Sequence, residues 1–327
     1  MHSRRLGTHG PLVSAIGLGC MGMSQGYGEV DQRDALATLD AALDAGVTLL
    51  DTAMSYGAGA NERLLAAVLA GRREEVVLAT KFGIVRDGAE VRVDARPEHV
   101  RGFLEASLSR LGVEHVDLYY LHRVDPDVPI AETIGVMGEL VAEGKVTHLG
   151  VSETTATELA QAVAMHPIAA VQLEWSLSWR ECEDEVIPAA RRLGVGIVPY
   201  SPLGRGLLTG TLTADSAGKA SMRSRDGRFA ASSLEPNLRL VDAVTAIACD
   251  RGITAAQLAL AWLLAQGEDV VPIPGTTRPD RLAENIAAAE VSLSADELAR
   301  LEQAAGRDAW AGDRFSFAAP GTQRTAQ

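Results

Sequence analysis

Short apolar runs alternate with longer amphipathic stretches along most of the chain. The runs fall at residues 16–19, 47–50, 76–79, 116–121, 146–151, 170–173, 196–199 and 270–273, each β-branched or leucine-rich. Between the first two, residues 34–45 place Leu36, Leu39 and Leu43 on one helical face, and residues 101–111 repeat this with Phe103, Leu104, Leu108 and Leu111. Continuous short strands separated by amphipathic helices predict parallel βαβ units buried on both faces. Eight such units predict a closed (β/α)8 TIM barrel rather than an open doubly wound sheet. A chain of 327 residues holds that barrel as a single domain spanning 1–327.

Three segments lie outside the repeat. Residues 2–15 suggest a β-hairpin turning around Thr8, His9 and Gly10, placed to plug the barrel floor. Residues 204–236, rich in Gly, Ser, Ala and Arg, are too long for an ordinary loop and are expected to form a flap over a bound ligand. A C-terminal helix, opened by Ser294 with Glu297 at the capping-box position, precedes an irregular tail from Gly306. Gly17, Gly19 and Gly22 match a G-x-G-x-x-G spacing. The residues that follow, 23–28, continue as loop, and no acidic residue ends a second strand at the required distance, which counts against a dinucleotide-binding Rossmann unit.

Charge and cysteine usage narrow the function. A net charge of −13 opposes nucleic acid or an anionic membrane as partner. No apolar run is long enough to span a bilayer, and the two N-terminal arginines precede no signal-like segment. Cys20, Cys182 and Cys249 are odd in number and irregularly spaced, so a reducing cytoplasmic setting without disulfides is expected. No zinc-ligand spacing appears, and no metal is expected. Of the 30 cationic side chains only Lys81, Lys145 and Lys219 are lysines, which draws attention to any lysine at a strand end.

In a (β/α)8 barrel the chemistry sits at the C-terminal ends of the strands. There the sequence places Asp51 after the second run, Lys81 after the third and His122 after the fourth, with Tyr56 five residues beyond Asp51. Singly these are an N-cap, a surface cation, a core histidine and a core aromatic. Together they make a proton donor. Tyrosine, with an ordinary pKa near 10, is a poor acid at neutral pH. A nearby ammonium lowers that value, an aspartate keeps the ammonium charged, and a neutral imidazole can orient a carbonyl oxygen. Such a set can protonate an alkoxide as it forms, which is half of a carbonyl reduction.

The segments Asp51-Thr-Ala-Met-Ser-Tyr56-Gly57, Thr80-Lys81-Phe82-Gly83 and Tyr120-Leu121-His122-Arg123 resemble the tetrad motifs of the aldo-keto reductase superfamily, in that family's order. The likeness runs from Arg4 to about residue 302. It implies a (β/α)8 barrel, NADPH/NADP+ as cofactor and a small-molecule carbonyl substrate, with Tyr56 as acid, Lys81 and Asp51 tuning it, and His122 orienting the carbonyl. It also implies that Cys20 and Met21 border the cofactor, and that Ser152 and Gln172 bind its carboxamide. Glu153 stands where the family often has asparagine. Tyr200 would stack on the nicotinamide, with Ser201, Pro202, Leu203, Gly204 and Arg205 near the pyrophosphate. Gly275, Thr276, Thr277, Arg281, Glu284 and Asn285 resemble the adenosine end. Small hydroxyl residues and arginine at a helix start suit a phosphate independently of any likeness. Gly275 replaces a lysine found in some branches, which leaves Arg281, with Arg278 beside it, for the 2′-phosphate. The bland reading of these two arginines is a surface pair answering Asp280 and Glu284.

Two other readings use the same residues. One is an NADPH-binding redox-sensing or regulatory subunit with slow turnover, a role that would tolerate loss of tetrad members. The other is a barrel isomerase or aldolase with Lys81 as Schiff base, which Asp51 opposes by keeping the amine charged. Tyr27, Met54, Trp175, Trp179, Trp310 and Phe315 are candidate pocket walls, with core packing as the alternative for each tryptophan.

Overall fold

The computed structural model describes residues 1–87, 90–213, 215 and 222–316. Its N-terminal hairpin pairs β1 (Ser3–Arg5) with β2 (Leu12–Ser14), Arg4 opposite Val13. The turn needs Gly7, which sits at φ +63°; a Cβ there would lie 2.5 Å from the carbonyl oxygen of Gly194. Arg4 is buried, and its guanidinium donates to the carbonyls of Leu264, Gly267 and Val270 at 2.7–3.1 Å. Leu6 and Val13 pack into the barrel lumen with Leu49, Ala79, Leu118 and Val198. The expected plug is present.

The apolar runs become β3 (Leu18–Gly19), β4 (Leu49–Asp51) and β5 (Val77–Phe82), followed by a side hairpin of β6 (Ile84–Asp87) and β7 (Glu90–Val93). Then come β8 (Val116–Leu121), β9 (Val146–Ser152), β10 (Ile168–Glu174) and β11 (Gly196–Tyr200). Among the described residues, seven strands pair in parallel in the order β3-β4-β5-β8-β9-β10-β11. The eighth run does not form a regular strand. It closes the barrel through single backbone bonds: Val271 N to Ile197 O, Ile273 N to Pro199 O, Gly17 N to Pro272 O and Gly19 N to Pro274 O, at 2.9–3.3 Å. The reason is Pro272 and Pro274. They accept from the β3 side but have no N–H to return, so that seam carries half a ladder.

Helices cover the outside. The first six are α1 (Gln32–Asp44), α2 (Ala60–Arg72), α3 (Pro97–Leu111), α4 (Ile130–Ala142), α5 (Ala156–Met165) and α6 (Val186–Arg192). Next come α7 (Ala231–Asp250), α8 (Ala255–Leu264), α9 (Pro279–Ala287) and α10 (Ala295–Ala305). The predicted faces are the buried ones. Leu39 and Leu43 of α1, and Leu104, Leu108 and Leu111 of α3, lie in the shell between sheet and helices. Ser294 opens α10 with the full capping box to Glu297. After β3 the chain turns through a short 3-10 segment, Met21–Met23, and no α-helix starts before Gln32, so the glycine spacing there is not a Rossmann turn.

The stretch expected to be an open flap is largely built in. Residues Gly204–Thr209, Arg223–Arg225 and Gly227–Phe229 form 3-10 turns, and α7 begins at Ala231, inside the predicted loop. Arg228 is fully buried. Residues 214 and 216–221 of that stretch, and the tail beyond residue 316, lie outside the described residues. Among the described residues, no single helix is long and apolar enough to cross a membrane.

Candidate active site

Parallel pairing of β4, β5 and β8 brings the three strand ends side by side. The chain beyond each end is anchored to its neighbour: Thr52 N to Ala79 O, Met54 N to Lys81 O and His122 N to Phe82 O, all near 3 Å. These bonds aim Asp51, Lys81, His122 and Tyr56 at one spot, and all four are buried. An ammonium has three protons, and Lys81 Nζ finds three acceptors. They are the Asp51 carboxylate, the Thr52 carbonyl at 2.8 Å and the Tyr56 hydroxyl at 3.2 Å. The Tyr56 oxygen therefore accepts from Lys81, which leaves its own proton to give elsewhere. The Tyr56 and His122 rings meet edge to face, centroids 5.8 Å apart.

Burial and charge compete at each group. For Tyr56 burial is the largest influence and holds the phenol above its ordinary value; Lys81 pulls it down without prevailing. The net lowering expected from the sequence is thus reversed. Burial also works against the Lys81 charge, but Asp51 and Tyr56 outweigh it, and the ammonium is stabilised. Burial, then Arg123 and Lys81, push His122 well below the usual imidazole range, so it is neutral at pH 7. His122 Nδ1 is buried and, among the described residues, has no hydrogen-bond partner. A buried polar atom of this kind is one that a ligand would satisfy.

The residues expected around a cofactor fall into two groups. Ser152 and Gln172 are register partners on β9 and β10, and Tyr200 ends β11, so the three line adjoining strand ends. Ser152 Oγ accepts from Arg123 at 3.2 Å, and Gln172 Nε2 donates to Asp51 Oδ2 at 2.8 Å. The Tyr200 hydroxyl is held by Arg314 at 3.1 Å and Ser316 at 3.3 Å. Ser201, Gly204 and Arg205 adopt left-handed backbone at φ 48°, 56° and 58°, a conformation that costs energy in the non-glycine residues and recurs at ligand sites. Pro202 is buried and Leu203 partly so.

The second group lies at the start of α9. Thr276 Oγ1 accepts from Arg278 N at 3.1 Å, and Pro279 opens the helix. Gly275 and Arg281 are exposed, Thr277 and Glu284 partly buried, and Asn285 buried. Arg278 pairs with Asp280, as the bland reading has it. Arg281 differs: among the described residues no carboxylate lies within ion-pair distance of it. Burial holds Arg223 below its usual value, Tyr27 opposes this, and the Arg281 guanidinium in the first turn of α9 is near enough to add to the lowering. That place suits a phosphate.

Some expectations shift. Cys20 is fully buried, with its N–H on Asp51 and its carbonyl on Asn61, which leaves Met21 as the partly exposed member of that pair. The Arg205 side chain turns inward to Asp226 at 3.2 Å and Glu174 at 3.5 Å, so only its backbone remains for a phosphate. Trp175, Trp179 and Trp310 are all buried, which is the core reading. Sequence reasoning missed a buried charge cluster. Glu153, Glu174 and Asp226 interlock with Arg205, Arg228 and Arg314, tying the β9 and β10 ends to the 223–229 turns and the C-terminal segment. Arg314 meets Glu153 with both terminal nitrogens, and its guanidinium lies 5.3 Å from the centre of Trp179. The one sequence signal was Glu153 itself, an acid where asparagine was expected.

Comparison with known proteins agrees with this geometry. The model of the aldo/keto reductase family matches residues 15–305. A probable aldo-keto reductase 1 from Glycine max is 45% identical over 314 residues, covering 95% of this chain and 91% of that protein. Among solved structures, a glycerol dehydrogenase from Gluconobacter oxydans superposes with a TM-score of 0.85 at 29% identity, over 92% of this chain and 94% of the other. An aldo-keto reductase from Klebsiella pneumoniae in complex with NADPH gives 0.74 at 28% identity, over 94% and 96%.

Proposed function

Because this chain belongs to the aldo/keto reductase family, we propose that it reduces the carbonyl of a small aldehyde or ketone to an alcohol, with NADPH as reductant and Tyr56 as general acid. The observation that carries this is the Lys81 ammonium bridging Asp51 and the Tyr56 hydroxyl, beside a neutral His122. NADPH, when bound, supplies the hydride that adds to the carbonyl carbon as its π bond opens. His122 donates a ring N–H to the carbonyl oxygen and orients it. Tyr56 gives its hydroxyl proton to that oxygen, and Lys81 takes up the charge left on the phenolate. Asp51 keeps Lys81 protonated throughout.

The cofactor assignment is supported by the fit of the residues present. Ser152 and Gln172 offer side-by-side polar groups for an amide, Tyr200 a ring at the next strand end, and Arg281 a cation at a helix start. A relative that holds NADPH supports the same choice. The test is a panel of aldehydes, ketones, keto-sugars and quinones assayed by NADPH oxidation. Turnover with at least one class is expected; binding of NADPH without turnover on any would favour a regulatory subunit.

Arg281→Ala tests the 2′-phosphate. A charge-assisted bond of about 1.5–3 kcal/mol corresponds to a roughly ten- to hundredfold affinity change. NADPH binding should weaken by that factor, with NADH almost unchanged, in fluorescence titrations. Parallel losses for both would place the phosphate elsewhere.

A further inference from the structure

Gln172 and Asp51 stand on the sixth and second strands of the barrel, 121 residues apart in sequence and facing each other across the lumen. Alternate strands of a (β/α)8 barrel contribute their inward side chains to a common layer, which is how residues on non-adjacent strands meet. Both are almost wholly buried, and Gln172 Nε2 donates to Asp51 Oδ2 at 2.8 Å. The other carboxylate oxygen, Oδ1, takes Lys81. Among the described residues nothing else donates a side-chain hydrogen bond to Oδ2. A primary amide has two N–H donors and a carbonyl, so holding Asp51 uses one donor, and the buried Tyr120 hydroxyl lies against the same amide.

From this geometry we infer that Gln172 is a positioning residue for the proton donor, acting through Asp51 and Lys81 in addition to any contact with a cofactor. An N–H given to one oxygen shares the carboxylate's charge and fixes its plane. The Lys81 ammonium then keeps more of its field for the Tyr56 hydroxyl, 3.2 Å away on its other side. Without that donor Asp51 would direct its whole charge at Lys81, and Tyr56 would become a weaker acid. The catalytic consequence rests on the carbonyl-reduction reading, whereas the link from Gln172 to Lys81 does not.

Gln172→Met keeps the side chain's length and removes its donors. NADPH affinity, the pH profile of kcat and the Lys81 Nζ resonance should be measured together. With only three lysines in the chain, a 15N-lysine sample gives few signals, which Lys145→Arg and Lys219→Arg assign. The expected results are a fall in kcat of about tenfold, the size of a hydrogen bond to a charged group, an alkaline limb displaced to higher pH, and a shifted Lys81 resonance. The Lys145 resonance should stay in place and report an intact fold. Weaker NADPH binding with the alkaline limb and the Lys81 resonance unmoved would overturn the inference and leave Gln172 a cofactor contact only. If wild-type protein reduces no carbonyl, the functional reading fails by itself, and the Lys81 resonance still decides whether Gln172 acts through Asp51.

Discussion

Tyr56→Phe is expected to lower kcat by at least about a hundredfold, the usual scale of general acid help, while NADPH still binds. Phenylalanine preserves the ring, and with it the edge-to-face contact with His122, so the loss is confined to one hydroxyl. The phenol is held above its ordinary value by burial and therefore remains protonated, ready to act as an acid, across the neutral range. Single-turnover oxidation of NADPH with an unactivated aldehyde measures the step directly. Near-wild-type kcat in the variant would remove Tyr56 from the acid role. Lys81→Met should be similarly damaging, because it takes away the cation that receives the phenolate charge and leaves Asp51 buried without its counter-ion. Lys145→Met is the control. Lys145 pairs with Glu105 on the surface and should be nearly silent. Equal losses at both lysines would show that lysine content, not position, is being measured.

Arg314→Met should cost about 3–5 kcal/mol of stability in urea unfolding, since breaking a buried pair strands its partner. Glu153 would be that partner. It is buried at φ 55°, and its pKa falls to about 2 because Arg314 and Arg123 overcome a burial effect of opposite sign. A carboxylate depressed in the folded state contributes stability above its unfolded value, about 4.3. That contribution is lost as pH drops from there toward about 2. The wild-type protein should thus lose stability in this acid window, and Arg314→Met should lack the corresponding part. Glu153→Gln in the same background should recover some of the loss, because it removes the stranded charge. A change below about 1 kcal/mol would make the pair equivalent to an exposed one. The effect reaches the site, since Arg314 also holds the Tyr200 hydroxyl.

Much of the barrel was legible because its cause is local. Seven apolar runs became strands, and α1 and α3 buried the faces their periodicity marked, because side-chain direction repeats with backbone geometry. The eighth run carried the same apolar signal, yet Pro272 and Pro274 were present to show that it could not complete a ladder. Asp51, Tyr56, Lys81 and His122 were legible because strand ends in a parallel barrel share one mouth, so position in the repeat translates into proximity. The chain by itself determined which residues meet there.

Tertiary structure decided what those residues experience. The sequence holds Lys81 near Tyr56 but not the depth of burial, and burial proved the larger influence on the phenol. Nor does it pair Glu153 with Arg314, 161 residues away, or Gln172 with Asp51. The likeness singled out Arg281 for the phosphate, but the order of residues did not show that Arg278 answers Asp280 while Arg281, among the described residues, pairs with no carboxylate. Desolvation and ion pairing depend on distances through space, and the order of residues along the chain constrains these only after the barrel has closed.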